Sequence, residues 1–286
     1  MPHLRDYLEL TKPRVIWLIL MSTGIGCWFG LRGVLDGLVL LHAVSGTGLL
    51  AAGTFTLNQW HERDADAKMR RTRLRPLPAG RIRPERAFWF GVALAALGFV
   101  QLWLGANLLA GLLGLFTLLS YLLAYTPLKQ RSRHSTTVGA VPGAMPPLIG
   151  YAAASGTLTA EAWVLFAILF LWQFPHFYSI AWMYRDDYAR AGIRMLPVVE
   201  PDGESTARRI VLASLILIPV SLLPGLMSMT GRVYLWGALT LGAGFLHYGL
   251  RVARELTIPR ARGVLLASVF YLPILYCLML VDRVKL

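Results

Sequence analysis

Apolar runs long enough to cross a lipid bilayer recur along the whole sequence, and they limit the possible folds more than any other feature. By length and near absence of charge we count nine of them, at residues 15–31, 38–58, 88–106, 108–126, 136–154, 162–183, 210–229, 233–250 and 263–281. A transmembrane helix needs about 20 mostly apolar residues, and the bilayer requires backbone polar groups to be paired internally. The sequence therefore predicts an all-α, polytopic membrane protein with nine transmembrane helices, forming a single domain over residues 1–286.

The charge content agrees with this prediction. Only 15% of the 286 residues are charged, whereas a soluble domain carries about 25%. The formal net charge is +13, but the basic residues lie between apolar runs, so we expect an anionic ligand and no nucleic-acid partner. Cys27 and Cys277 both lie inside apolar runs, which excludes a disulfide framework and a cysteine metal motif.

The distribution of basic residues predicts the orientation. With the N-terminus inside, the inner segments carry 24 of the 28 Lys and Arg residues, and the outer segments carry only Arg32, Arg232, Arg283 and Lys285. Basic residues concentrate on the cytoplasmic side of membrane proteins. We therefore expect a cytoplasmic N-terminus, an external C-terminus and two acidic cytoplasmic loop regions, at about residues 58–87 and 184–209.

The densest charge cluster, NQWHERDADAKMRRTRLRPLPAG at residues 58–80, directly follows an uncharged run. Asn58, Glu62 and Asp66 are four residues apart, so on a helix each step drifts only about 40° and the three side chains form one stripe. Two carboxylates and an amide oxygen suit Mg²⁺, whose remaining ligands are usually water and substrate phosphates. Basic residues follow at Lys68, Arg70, Arg71, Arg73 and Arg75.

Two interpretations of this cluster stay open at the level of residue chemistry. Acidic and basic residues at a helix end are often only solvated and paired with each other. The alternative is a metal ion beside several guanidinium groups, which together bind a diphosphate. A lipid-tailed diphosphate would place its head at this depth, because the stripe begins at the end of an apolar run.

The cluster resembles the first signature of the intramembrane aromatic prenyltransferase superfamily, the UbiA type. That signature usually has Asn, Asp and Asp along the stripe, and Glu62 at the middle position is similar to the protohaem IX farnesyltransferase (haem O synthase) branch. The same branch is resembled by WQFPHFYSIAWMYRDDYARAGIRMLPVV at 172–199, by YTPLK at 125–129 and by GAMPPLIGY at 143–151. The resemblance covers essentially the whole chain, and its motifs are long and gapped.

Two departures from the superfamily pattern bear on the site. The second signature usually contains an Asp-x3-Asp pair, but the matching positions here are Tyr184 and Tyr188, with Asp186 and Asp187 between them. After YTPLK the branch usually has adjacent Lys and Arg. Lys129 keeps its place, and Arg131 is expected to act as its partner.

The resemblance and the residue chemistry together predict three sets of site residues. The catalytic and metal-binding set is Asn58, Glu62, Asp66 and Asp187. The diphosphate-binding set is Arg71, Arg75, Lys129, Arg131 and Arg185. The haem-binding set is His176, Tyr184 and Tyr188, where His176 has the alternative interpretation of a core histidine bonded to a neighbouring helix.

The resemblance implies a bundle around a central cavity open to the cytoplasmic side, in a bacterial plasma (inner) membrane. It implies transfer of the farnesyl group of farnesyl diphosphate to a vinyl group of haem B, with Mg²⁺ as cofactor, haem O as product and a downstream haem-modifying enzyme as a partner. Two rival functions remain: prenyl transfer to a quinone precursor or other aromatic acceptor, and transport of haem or lipid. A transporter is expected to place ionisable groups near the bilayer midplane. In this sequence the predicted spans are almost empty of charge and the acidic residues lie at the helix ends, so transport is disfavoured.

Overall fold

The computed structural model describes residues 4–31 and 36–284, so the topology assignments made for Arg32 and Lys285 lie outside it. The elements in these ranges are α1 Leu4–Thr11, α2 Pro13–Gly30, α3 Gly37–Asp66, α4 Pro84–Gly105, α5 Leu108–Leu119, a π-helix Ser120–Tyr125, α6 Thr126–Arg131, α7 Ser135–Gly143, α8 Met145–Ser155, α9 Ala160–Met183, α10 Arg185–Arg190, α11 Leu196–Val199, α12 Glu204–Leu226, α13 Arg232–Arg254 and α14 Ile258–Val281. Within the described ranges the only β interaction is an isolated bridge between Thr230 and Arg283. The all-α prediction is confirmed.

Helix boundaries follow local sequence signals. Asp36 caps α3, since its Oδ1 accepts the backbone N–H groups of Leu38 and Val39 at 2.9 and 3.2 Å. Asn107 caps α5 in the same way, and prolines occupy the first turns of α2 and α4. These residues satisfy or remove the unpaired N–H groups that every helix start exposes.

Seven helices of the described chain are long and apolar enough to cross a membrane: α2, α3, α4, the continuous segment Leu108–Arg131, α9, α12 and α14. The predicted span 136–154 is helical but is divided at Ala144 into α7 and α8, where Pro142 and Pro146 interrupt the backbone hydrogen bonds. The predicted span 233–250 lies in α13, which does not reach the same apolar character. A count of nine membrane crossings stays a prediction.

Helices α2 and α8 approach each other unusually closely. A Cβ atom on Gly26 of α2 would lie 2.0 Å from the carbonyl oxygen of Pro147, and one on Gly150 of α8 would lie 1.9 Å from that of Thr23. Small residues permit this backbone contact, which is a common means of packing helices in membranes. The contact fixes α2 against α8 and so sets the position of the α1–α2 junction.

The bundle has two ends with different chemistry. At one end the start of α2 meets the end of α3 and α6, where Lys12, Glu62 and Lys129 line a common cavity. At the other end Arg283 donates to the backbone oxygen of Leu31, and Asp282 accepts the backbone N–H of Tyr234. The first and last described residues therefore lie at opposite ends of the bundle. Which end faces the cytoplasm stays a prediction.

The two acidic loop regions pack against each other at the charged end. Ala65 and Met69 belong to a small apolar cluster with Ala181, Ala191, Ile193 and Met195, separate from the main core. The backbone N–H of Arg194 also donates to the carbonyl oxygen of Lys129 at 2.7 Å. Residues distant in sequence are therefore held together around the mouth of the cavity.

Candidate active site

A cavity of about 370 Å³ opens between the helices at the charged end of the bundle. Its inner wall is largely apolar and includes Leu18, Leu50, Ile149, Leu169 and Trp172. Its outer wall carries charged side chains from α3, α6 and the loop after α3: Glu62, Asp66, Arg71, Arg75 and Lys129. The size is typical of ligand pockets, which range over about 300–1,000 Å³. Such a wall suits a ligand with a charged head and an apolar tail.

The predicted stripe lies on the last turns of α3, because this helix continues past the apolar run to Asp66. Asn58, Glu62 and Asp66 all line the cavity. Asn58 donates from its side-chain nitrogen to the hydroxyl of Thr126 at 3.1 Å, and Thr126 donates to the carbonyl oxygen of Tyr121 at 2.8 Å. This chain of bonds orients the Asn58 amide, whose oxygen is the atom that a cation would bind.

Both carboxylates of the stripe have cationic partners. Glu62 Oε1 lies 2.9 Å from Lys129 Nζ, and Asp66 Oδ2 lies 2.8 Å from an Arg75 guanidinium nitrogen. The side chains of Glu62 and Lys129 are only 12% and 14% exposed, and a buried charge is tolerated when it is paired and hydrogen-bonded. The pairs hold acidic and basic side chains in place around the cavity mouth, where a metal ion and a diphosphate would bind.

Lys12 also lines the cavity, although sequence reasoning assigned it only to topology. It sits between α1 and α2 in the left-handed region, with φ 53° and ψ 59°, a conformation that costs a non-glycine residue about 1–2 kcal/mol. Its ammonium lies 5.2 Å from the centre of the Phe55 ring. Burial lowers the pKa of Lys12 to about 7, with a contribution from Arg75 and Lys129. The one available sequence signal was a lysine directly before a proline at the start of a span.

Aromatic rings form another part of the wall. Tyr121 and Tyr125 lie in the π-helix, line the cavity, and meet edge to face with ring centres 4.9 Å apart. Lys129 Nζ lies 4.5 Å from the centre of the Tyr125 ring. The rings of Phe55 and Tyr121 meet edge to face, with centres 6.1 Å apart. The wider π turn is often found at functional sites. Ring faces stabilise cations, so this wall suits a reaction in which positive charge develops.

The second loop reaches the cavity through Tyr188, which lines it. Asp187 does not line it: its two oxygens accept the backbone N–H groups of Arg70 and Arg71, each at 3.3 Å, and it also pairs with Arg190. Tyr184 stacks under the guanidinium of Arg71, whose carbon lies 4.9 Å from the ring centre.

The remaining predicted site residues lie outside the cavity lining. Arg131 is exposed at the end of α6. Arg185 covers the Trp182 ring and donates to the Trp182 carbonyl oxygen at 3.1 Å. His176 lies one layer behind the wall: its ring stacks on the cavity-lining Trp172 at 4.8 Å, and its Nδ1 bonds to Ser268 at 2.8 Å. Its predicted haem contact stays a prediction.

The donor set fits a hard divalent cation at the stripe. Asn58, Glu62 and Asp66 supply one amide oxygen and two carboxylates to the cavity, which is the ligand chemistry of Mg²⁺ when phosphate oxygens complete the shell. Among the described residues, no group of three or more His, Cys, Asp or Glu side chains is close enough to bind a metal alone. A cation at the stripe would complete its shell with waters or substrate oxygens.

Residues 19–277 match the UbiA prenyltransferase family. The chain belongs to this family. A protein named protoheme IX farnesyltransferase from Solibacter usitatus is 64% identical over 98% of this chain and 99% of its own length. Proteins of the same name from Koribacter versatilis and Salinibacter ruber are 48% and 47% identical, over 98% and 97% of this chain and 94% and 98% of their own lengths. The protein is therefore a prenyltransferase of the membrane.

Solved structures agree on the fold. A digeranylgeranylglyceryl phosphate synthase matches with a TM-score of 0.81 at 21% identity, covering 100% of both chains. A UbiA homologue from Aeropyrum pernix matches with 0.76 at 18% identity, covering 94% of this chain and 97% of its own. A UbiA homologue from Archaeoglobus fulgidus bound to GPP and Mg²⁺ matches with 0.66 at 16% identity, covering 96% and 99%.

Proposed function

We propose that the protein transfers the farnesyl group of farnesyl diphosphate to a vinyl group of haem B in the bacterial inner membrane, forming haem O. The observation that carries this proposal is the 64% identity, over nearly the full length of both chains, to a relative named protoheme IX farnesyltransferase. The cavity supports it, because a charged mouth and an apolar interior match a prenyl diphosphate.

The cationic side chains at the mouth act on the leaving group. In the reaction the bond between farnesyl C1 and the bridging oxygen breaks, and its electron pair leaves with the diphosphate. Arg71, Arg75, Lys129 and Lys12 line the mouth and would stabilise the charge as it develops on that oxygen. Mg²⁺ held by Asn58, Glu62 and Asp66 would supply Lewis-acid stabilisation of the same oxygens.

The apolar and aromatic walls act on the other half of the reaction. The farnesyl tail lies along the apolar interior, which excludes water from C1 while it carries positive charge. Phe55, Tyr121 and Tyr125 present rings to this region. The terminal vinyl carbon of haem B attacks C1, which leaves a cation on the inner vinyl carbon. Water bonds to that carbon and loses a proton, giving the hydroxyl of haem O.

Product analysis tests the function directly. Purified protein in lipid vesicles receives haem B, farnesyl diphosphate and Mg²⁺, and the extracted porphyrins are analysed by liquid chromatography and mass spectrometry. We expect haem O with the complete mixture, and none with excess EDTA or with the Asn58→Ala variant. Prenylation of an added hydroxybenzoate without any haem O would refute the acceptor assignment. Release of unmodified haem across the vesicle would instead favour transport.

A further inference from the structure

The second acidic loop holds an arginine of the first loop, and the contacts that do so come from three neighbouring residues. Asp187 is buried, with 8% of its surface exposed, and its two oxygens accept the backbone N–H groups of Arg70 and Arg71. Tyr184 lies under the Arg71 guanidinium at 4.9 Å, and Tyr188 accepts a hydrogen bond from it at 3.5 Å. Backbone and side chain of Arg71 are therefore both fixed by the second loop.

In the structure Asp187 contacts the first loop and Arg190 and does not line the cavity. Each of its oxygens already accepts an N–H group, and Arg190 neutralises its charge. Arg71 lines the cavity, as do Asn58, Glu62 and Asp66, whereas Asp187 does not. Two consecutive backbone N–H groups form a compact anion-binding site. Here the anion that they bind is the carboxylate of Asp187.

The surrounding packing supports the same conclusion. Met69, directly before the Arg70–Arg71 pair, is buried in the small apolar cluster with Ala181 of α9 and Ile193 of the second loop region, and Tyr188 packs against this cluster. The first loop forms hydrogen-bonded turns and no regular helix between Asp66 and Pro84. The second loop adds the contacts of Tyr184 and Tyr188 to the side chain of Arg71.

We propose that Tyr184, Asp187 and Tyr188 position Arg71 to bind the prenyl diphosphate, so that the second loop serves diphosphate recognition and not a second metal site. The inference rests on the proposed function for the identity of the diphosphate. It concerns the affinity of the site for a prenyl diphosphate, which is measurable without haem. The appropriate probe is therefore a prenyl diphosphate analogue that binds without undergoing the metal-dependent reaction, such as farnesyl thiodiphosphate.

A double-mutant cycle tests the coupling. The variants are Asp187→Ala, Arg71→Ala and the double variant, with Asp186→Ala as matched control, since Asp186 belongs to the same short helix and its side chain is 84% exposed. Binding of farnesyl thiodiphosphate is measured by calorimetry at saturating Mg²⁺. We expect each single variant to lose affinity about tenfold or more, the double variant to lose no more than about twofold beyond Arg71→Ala, and Asp186→Ala to resemble the wild type.

A second measurement separates positioning from metal binding. Asp187→Asn keeps the shape of the side chain and one carbonyl acceptor, so it guards against a folding defect in Asp187→Ala. Its Mg²⁺ requirement for analogue binding should stay within about twofold of the wild type. A large rise in the Mg²⁺ requirement, or additive losses in the cycle, would overturn the inference. Tight analogue binding by a wild-type protein that forms no haem O would refute the acceptor assignment and leave this inference intact.

Discussion

Glu62→Asp changes the reach of a site carboxylate while keeping its charge. The substitution removes one methylene, so the carboxylate retracts by up to about 1.5 Å, the length of one C–C bond. Glu62 Oε1 now lies 2.9 Å from Lys129 Nζ, and Oε2 lies 3.2 Å from it. Retraction would take the closer contact to about 4.4 Å, which is beyond hydrogen-bond distance.

The loss should be visible in turnover. A hydrogen bond between charged groups contributes about 1.5–3 kcal/mol, and a factor of ten in rate corresponds to about 1.36 kcal/mol. We therefore expect kcat/KM for farnesyl diphosphate to fall about 10- to 150-fold. The assay is haem O formation by purified protein in vesicles, with Mg²⁺ and haem B saturating and farnesyl diphosphate varied.

Glu9→Asp is the matched control for this substitution. Glu9 pairs with Arg81 at 2.8 Å, but its side chain is 44% exposed and lies on α1 outside the cavity lining. Exposed ion pairs contribute little, so its kcat/KM should stay within about twofold of the wild type. If Glu62→Asp also stays in that range while Glu62→Gln is inactive, then charge alone matters at this position and the reasoning from reach is refuted.

Two further predictions concern Lys12 and the membrane orientation. Lys12→Ala and Lys12→Gly both remove the ammonium, so both should weaken binding of farnesyl thiodiphosphate by about tenfold. Lys12→Gly should be the more stable variant by about 1 kcal/mol, because glycine adopts the left-handed conformation without strain. Equal thermal stability of the two variants would contradict backbone strain at position 12, and unchanged affinity would contradict a contact between the ammonium and the diphosphate. Cysteines introduced at the exposed positions Ala67 and Ser228, in a chain lacking Cys277, should react with an impermeant thiol reagent from the cytoplasmic and the external side respectively; the reverse pattern would refute the predicted orientation.

The sequence predicted which side chains lie together on α3 better than it predicted which groups those side chains contact. The four-residue spacing of Asn58, Glu62 and Asp66 was sufficient to predict one stripe, and the structure places all three on α3 beside the cavity. The pairing of Glu62 with Lys129 depends on how α6 packs against α3, which periodicity does not encode. Asp187 was predicted as a metal ligand from its chemical type, and that assignment stays a prediction. Its partners in the structure are Arg190 and the backbone N–H groups of Arg70 and Arg71, which no sequence motif displays.

The same distinction applies to the predicted span 136–154. This run is uncharged, and the absence of charge was the basis for predicting a membrane span there. It is divided at Ala144 because neighbouring prolines remove backbone donors. Where the chain resumes as α8, Gly150 lies against the backbone of α2. The break therefore follows from local chemistry, but the direction in which it turns the chain follows from packing.

Charge balance at the cavity mouth connects Lys12 with the role inferred for Asp187. The described lining residues include four cationic side chains, Lys12, Arg71, Arg75 and Lys129, but only two carboxylates, Glu62 and Asp66. This excess of positive charge attracts a diphosphate and opposes each added dication, and it contributes to lowering the pKa of the buried Lys12 to about 7. Carboxylates at positions 184 and 188 would offset a second dication, but tyrosines stand there and hold Arg71 instead. We therefore expect a diphosphate bound by cationic side chains, with one metal ion at the α3 stripe, and binding of that diphosphate should raise the pKa of Lys12.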